Sequence, residues 1–165
     1  MLQSQRLLLD TNVYGSLVEI PERTWLIEGL RRNNSIVCGS VVIRQELRNI
    51  PKKKLVGNEK TRNLCLNLYD ALVEEKRNYI VSNLIEVAAK TYYENYLGND
   101  SWKEIEKDFL IVATSSIHKV NIVISNDENT MASKEAINAY TAGNMKFQIE
   151  TPKFIKLEEF RQLLK

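Results

Sequence analysis

Four carboxylates in this chain occupy positions from which they could act together: Asp10, Glu46, Asp108 and Asp127. Asp10 directly follows the apolar triplet Leu7-Leu8-Leu9, and Asp127 closely follows the run Asn121-Ile122-Val123-Ile124-Ser125. Short apolar runs of this kind read as strands buried on both faces, as in parallel sheets. Ligands of open parallel sheets bind beyond the carboxyl ends of the strands. If the two strands are neighbours, both acids therefore face one crevice. Asp108 lies in the first half of a largely apolar helical segment, where a charge is tolerable only on an exposed or site-facing side. Glu46 falls one turn into the helix after the second strand, with Arg44 and Arg48 two residues to either side.

Carboxylates brought together repel and raise one another's pKa, so a cluster of four is stable chiefly when a divalent cation discharges it. Hard oxygen donors suit Mg²⁺ or Mn²⁺, which retain several waters and accept phosphate oxygens. Such an ion activates water and stabilises a departing oxygen, which is the chemistry of phosphodiester hydrolysis without histidine. Plainer readings stand beside this one. Asp10 and Asp127 could simply end strands and begin turns, Asp108 could be an ordinary exposed acid, and Glu46 could belong to a solvated face, with Glu19, Glu22 and Glu28 as other candidates.

Other residues with chemical potential carry less. His118, the single histidine, ends an apolar helix and reads as a partner of the helix dipole rather than a base. Lys52-Lys53-Lys54 is either a substrate-binding strip that contacts phosphate or a solvated loop. Tyr92, Tyr93 and Tyr96 read as core or dimer contacts rather than stacking platforms for bases. Cys38 and Cys65 lie far apart among apolar neighbours, which favours buried free thiols and a reducing cytoplasm.

The elements that would position these groups alternate. Leu7–Leu9 is a strand followed by a loop, Thr24–Leu30 a helix, Ser35–Gly39 a strand, and Val41–Ile50 a helix that Pro51 ends. A basic break at 51–54 leads into a long helix over Glu59–Glu75, making the segment near 51–76 a helical insert or lobe. Tyr79–Val81 is a third strand, and the helix after it carries Leu84, Val87, Ala88 and Thr91 on one face. After the break at Gly98-Asn99-Asp100 come a helix through Ile105 and Ile117, the strand 121–125, a helix near Ser133–Ala142 and a strand at Phe154–Ile155. This pattern predicts one α/β domain over 1–165, with a mostly parallel sheet of about five strands and helices on both faces.

A net charge of +2, from 23 Lys and Arg against 21 Asp and Glu, excludes bulk electrostatics as the basis of nucleic-acid affinity and leaves local patches. No signal layout is read at the N-terminus, and no run is long enough to cross a membrane.

In order and spacing, Leu7-Leu8-Leu9-Asp10-Thr11-Asn12, Glu46, Asp108-Phe109-Leu110-Ile111-Val112-Ala113 and Ser125-Asn126-Asp127 resemble the PIN-domain nucleases. The resemblance runs from Arg6 to about Asp127. It implies that Asp10, Glu46, Asp108 and Asp127 are metal ligands, direct or through water, and that Thr11, Asn12 and Ser125 orient them by hydroxyl and amide groups. It also implies a metal-dependent endoribonuclease acting on RNA. Many small single-domain members are toxins of the VapC type, which dimerise and are held inactive by an antitoxin peptide. Where many relatives carry a further acid and an aromatic after the last motif, this chain has Glu128-Asn129-Thr130.

Alternatives within the same resemblance are an RNA-processing or quality-control nuclease without an antitoxin, and a non-catalytic PIN-like module that binds RNA or protein. Two other aspartate chemistries fit poorly. A haloacid-dehalogenase phosphatase needs an acid where Asn12 stands, and a receiver domain needs one after the third strand, where Ile80-Val81-Ser82-Asn83 offers none.

Overall fold

The computed structural model describes residues 2–165. Its strands are β1 (Arg6–Leu9), β2 (Ile36–Ser40), β3 (Leu55–Val56), β4 (Glu59–Lys60), β5 (Val73–Tyr79), β6 (Ile122–Ile124) and β7 (Lys153–Ile155). Its helices are α1 (Thr11–Glu19), α2 (Thr24–Arg32), α3 (Val41–Arg48), α4 (Thr61–Leu72), α5 (Asn83–Glu94), α6 (Trp102–Ile117), α7 (Lys134–Phe147) and α8 (Leu157–Leu163).

Five strands form one parallel sheet in the order β5-β2-β1-β6-β7, and β3 with β4 makes a separate antiparallel hairpin. Leu7, Leu8 and Leu9 of the central strand are fully buried, each contributing roughly 1.5–3 kcal/mol of apolar burial. Right-handed crossovers place the helices between β1, β2 and β5 on one face of this sheet, and those between β5, β6 and β7 on the other. The chain steps from β1 to β2 on one side and returns with β6 to the other, so the strand order reverses between β1 and β6. That reversal opens the crevice where open α/β sheets bind ligands.

The structure corrects several boundaries. The expected long helix over Glu59–Glu75 is a hairpin strand, then α4, and the chain is already extended at Val73. The third strand is Val73–Tyr79, not Tyr79–Val81. Val-Glu-Glu-Lys-Arg-Asn-Tyr carries no strand-like apolar alternation; pairing to β2 at the edge of the sheet makes it a strand, and edge strands tolerate charge. The expected loop after Asp10 is instead α1, and α8 follows the last strand. On α5 the buried face is Ile85, Ala88, Ala89 and Tyr92, leaving Leu84 and Val87 exposed.

Gly39 is required by a close approach. A Cβ there would stand 2.0 Å from the Tyr69 hydroxyl, which reaches past it to the Ser40 carbonyl and the Asn78 side chain. Both cysteines are buried and free, and no helix among the described residues is long and apolar enough to cross a membrane.

Candidate active site

Asp10 leaves β1 as the N-cap of α1, where its Oδ1 accepts the Thr11 backbone N–H at 2.7 Å. Carboxylates at this position satisfy free amides and meet the positive end of the helix dipole. The other oxygen, Oδ2, accepts the Asn12 amide at 2.7 Å and the Ser125 hydroxyl at 2.8 Å. Ser125 directly follows β6, so this bond spans the strand reversal. Burial pushes the Asp10 carboxyl up to about 6, against the hydrogen bonds of Ser125 and Thr11, and the charges of Glu46 and Asp127 add to the rise.

Asp127 sits in the loop after β6. Its backbone N–H donates to Ser125 Oγ at 3.1 Å, and its Oδ1 accepts the amides of Asn129 and Thr130 at 3.0 and 2.9 Å. Burial works against ionisation there, yet the Thr130 hydroxyl and the loop amides outweigh it and hold the carboxyl below its ordinary value. Asp108, half-buried on α6, lies 2.7 Å from Thr130 Oγ1, which also contacts Asp127 Oδ2. Burial, with the charges of Asp10, Asp127 and Glu46, drives Asp108 up to about 7 despite the Thr130 bond. Glu46 on α3 accepts the Thr11 hydroxyl at 2.5 Å.

All four sequence-predicted acids thus lie on one continuous path: Glu46 to Thr11, its neighbour Asp10 to Ser125, then Asp127, Thr130 and Asp108. Among the described residues, however, no three acidic, histidine or cysteine groups close around a single point fit for an ion. Hydroxyls lie between them instead: Thr11 contacts Glu46, Ser125 contacts Asp10, and Thr130 contacts both Asp108 and Asp127. Thr11, Asn12 and Ser125 touch the acids as expected. Asn12 further ties the site to the β6 loop by accepting the Asn126 N–H at 3.2 Å.

Thr130 is the residue that sequence reading missed. Its only signal is the Asp-x-x-Thr spacing, in which an aspartate accepts amides two and three residues on. Lys52, Lys53 and Lys54 lie exposed on the loop before β3, and none of them pairs with a carboxylate among the described residues. His118 caps the C-terminus of α6 and stacks on Tyr79 at 3.6 Å between ring centres. Burial, aided by Arg6, lowers its pKa and favours the neutral ring, so the charged dipole partner expected from sequence is disfavoured. Tyr92 is fully buried, while Tyr93 and Tyr96 pack against Phe109.

No protein-family profile and no curated protein matches the chain. Solved structures do. VapBC2 from Rickettsia felis, bound to a DNA fragment from its promoter, matches with a TM-score of 0.53 at 15% identity over 92% of this chain and 98% of that one. The fold is PIN-like. FitAcB from Neisseria gonorrhoeae superposes on this PIN-like fold with a TM-score of 0.50 at 17% identity, covering 90% of this chain and 96% of its own. FitAB bound to an IR36 DNA fragment gives 0.53 at 15% identity, covering 91% and 94%.

Proposed function

We propose that this chain is a metal-dependent ribonuclease that hydrolyses RNA phosphodiester bonds at Asp10, Glu46, Asp108 and Asp127, and that it is the toxin of a type II toxin–antitoxin pair. The convergence of four acids from distant parts of the chain at the strand reversal supports the first half of this reading. Its likeness in fold to VapBC2 and FitAB supports the second.

The residues fit Mg²⁺ or Mn²⁺ by their chemistry. They are hard oxygen donors, and Asp10 and Asp108 are pushed up by burial and by neighbouring negative charge, a penalty that a cation would relieve. Such an ion keeps several waters and needs only one or two direct carboxylates, so Asp10 and Asp108 suffice as direct ligands, with Glu46 and Asp127 acting through water. When bound, the ion supplies a water of lowered pKa and stabilises charge on the phosphate oxygens.

The chain's own residues do the positioning. Ser125, Asn12 and the Thr11 amide fix both oxygens of Asp10, and Thr11 holds Glu46 toward the same crevice. Oxygens held in advance need not reorganise as charge develops on phosphorus. Leu84 and Val87 on α5, with Ile80 just before it, leave an exposed apolar strip suited to a second copy or an antitoxin.

A non-catalytic binding module is favoured by one observation, that no three acids close on one point. Incubation of single-stranded RNA with the protein and Mn²⁺ separates the two readings. The nuclease reading expects 5′-phosphate ends, loss of cleavage with EDTA, and loss in Asp10→Asn. Undiminished cleavage in that variant would assign the activity to a contaminant or another site.

A further inference from the structure

At the carboxyl ends of β2 and β5, the same edge that carries the acids, Val41, Arg44, Gln45, Arg48 and Asn78 line an open cavity of about 180 Å³. No carboxylate lines it. Arg44 and Arg48 are four residues apart on α3 and share one helix face, whereas Glu46, two residues from each, points the other way toward Thr11. One helix therefore presents a carboxylate to the acid network and two guanidinium groups to the cavity.

Arg44 is held in place. Its Nε and Nη2 donate to the two oxygens of Asp70 at 3.0 and 2.9 Å, which leaves Nη1 without a hydrogen-bond partner among the described residues. Arg48 is exposed and makes no ion pair among the described residues. Two guanidinium charges thus face one carboxylate, and the cavity keeps a net positive charge. At roughly 30 Å³ per water, its volume equals roughly six waters, room for a phosphate and part of its hydration. Guanidinium forks match tetrahedral oxyanions with paired hydrogen bonds. Neighbouring strands stand about 5 Å apart, so the two-strand step from β1 to β5 covers roughly 10 Å. That is within reach of a short stretch of nucleic-acid backbone.

We propose that the cavity between α3 and β5 is a phosphate subsite that holds a backbone phosphate of a single-stranded RNA whose scissile phosphate lies at the acids. The assignment rests on the nuclease reading and adds where the strand runs. It makes Arg48 the principal electrostatic contact, in place of the Lys52–Lys54 loop.

The test uses fluorescent single-stranded RNA and full-length protein carrying Asp10→Asn, in EDTA, with anisotropy titrations over a range of salt. On a single strand, each phosphate neutralised by the protein adds about 0.7 to the steepness of log K against log salt. Arg48→Gln is expected to lower the slope by that amount for every RNA sequence tried, Arg48→Lys to restore it, and a Lys52→Gln, Lys53→Gln, Lys54→Gln triple variant to leave it unchanged. An unchanged slope in Arg48→Gln, with thermal unfolding as in the parent, overturns the subsite. A shallower slope in the lysine variant instead moves the phosphate to the loop, and an equal change with duplex DNA overturns the single-strand assignment. Cleavage by Arg48→Gln is measured in parallel in the Asp10 protein. If cleavage depends on Asp10 while the salt slope ignores Arg48, the subsite fails and the nuclease reading stands. If the slope responds but no Asp10-dependent cleavage exists, the nuclease reading fails instead.

Discussion

Thr130 Oγ1 lies 2.7 Å from Asp108 Oδ2 while also touching Asp127 Oδ2, so one hydroxyl with a single proton serves two carboxyls. It cannot donate to both at once. The arrangement is satisfied when Asp108 carries a proton of its own and donates it to Thr130, which then donates to Asp127. The opposite pKa shifts agree, with Asp108 driven up to about 7 and Asp127 held down. Thr130→Val keeps the shape and removes the relay. We expect it to destabilise the metal-free protein by about 1.5–3 kcal/mol, the range for hydrogen bonds to charged groups, as read from urea unfolding. A change below the error of the titration would remove Thr130 from the network.

The two raised carboxyls set a pH dependence. A folded-state pKa above the unfolded value means that the native protein binds more protons across that interval. The stabilisation is fully present below the unfolded value near 3.8 and is lost as pH rises through about 6 for Asp10 and about 7 for Asp108. In EDTA the unfolding free energy attributable to these groups should fall from about pH 4 to about pH 7, and Asp10→Asn with Asp108→Asn should flatten the curve. A parent protein whose stability is level across that window would contradict the burial argument.

Metal should reverse that loss. At neutral pH, Mn²⁺ bound to the folded state raises stability by mass action, about 2.7 kcal/mol at a hundredfold excess over its dissociation constant. Differential scanning calorimetry should show the gain in the parent and little of it in Asp108→Asn. Equal gains in both would place the ion elsewhere.

Much of this site is legible in the chain before folding, for a physical reason. β1, β2 and β6 are interior parallel strands buried on both faces, so they appear as apolar runs, and Asp10 and Asp127 follow at the ends of β1 and β6. β5 is an edge strand whose Glu74, Glu75 and Lys76 face solvent, and only its pairing with β2 makes it extended. The Asx signal at Asp10 is real but ambiguous, because a residue that begins a turn and one that caps a helix use the same side-chain bond. Here it caps α1, against the expected loop. Thr130 acts across 22 residues to reach Asp108, and nothing local marks that role.

Ser125 joins the two sides of the strand reversal through one hydroxyl, which donates to Asp10 and accepts from the Asp127 amide. Ser125→Ala should leave the buried Asp10 oxygen short of one donor. Weakened support of this kind typically lowers metal affinity or activity by about 10–100-fold. Cleavage assays with a Mn²⁺ titration should show the loss as a raised metal requirement. Parent-like metal dependence would mean that Asn12 and the Thr11 amide suffice to hold Asp10.

Gly39 supports the edge from behind the acids. A methyl at this position meets the Tyr69 hydroxyl at 2.0 Å and the Val73 side chain at 2.8 Å, on a residue paired with Asn78. Tyr69 cannot yield cheaply, because its hydroxyl bonds the Ser40 carbonyl and the Asn78 side chain while its ring is buried against Tyr14. Gly39→Ala should therefore cost about 1–3 kcal/mol by overpacking. Pairing it with Tyr69→Phe, which removes the clashing oxygen, should recover part of that cost. Thermal unfolding of the single and double variants decides the matter: additive losses would show that the methyl is accommodated elsewhere and that Tyr69 does not set the spacing between β2 and α4.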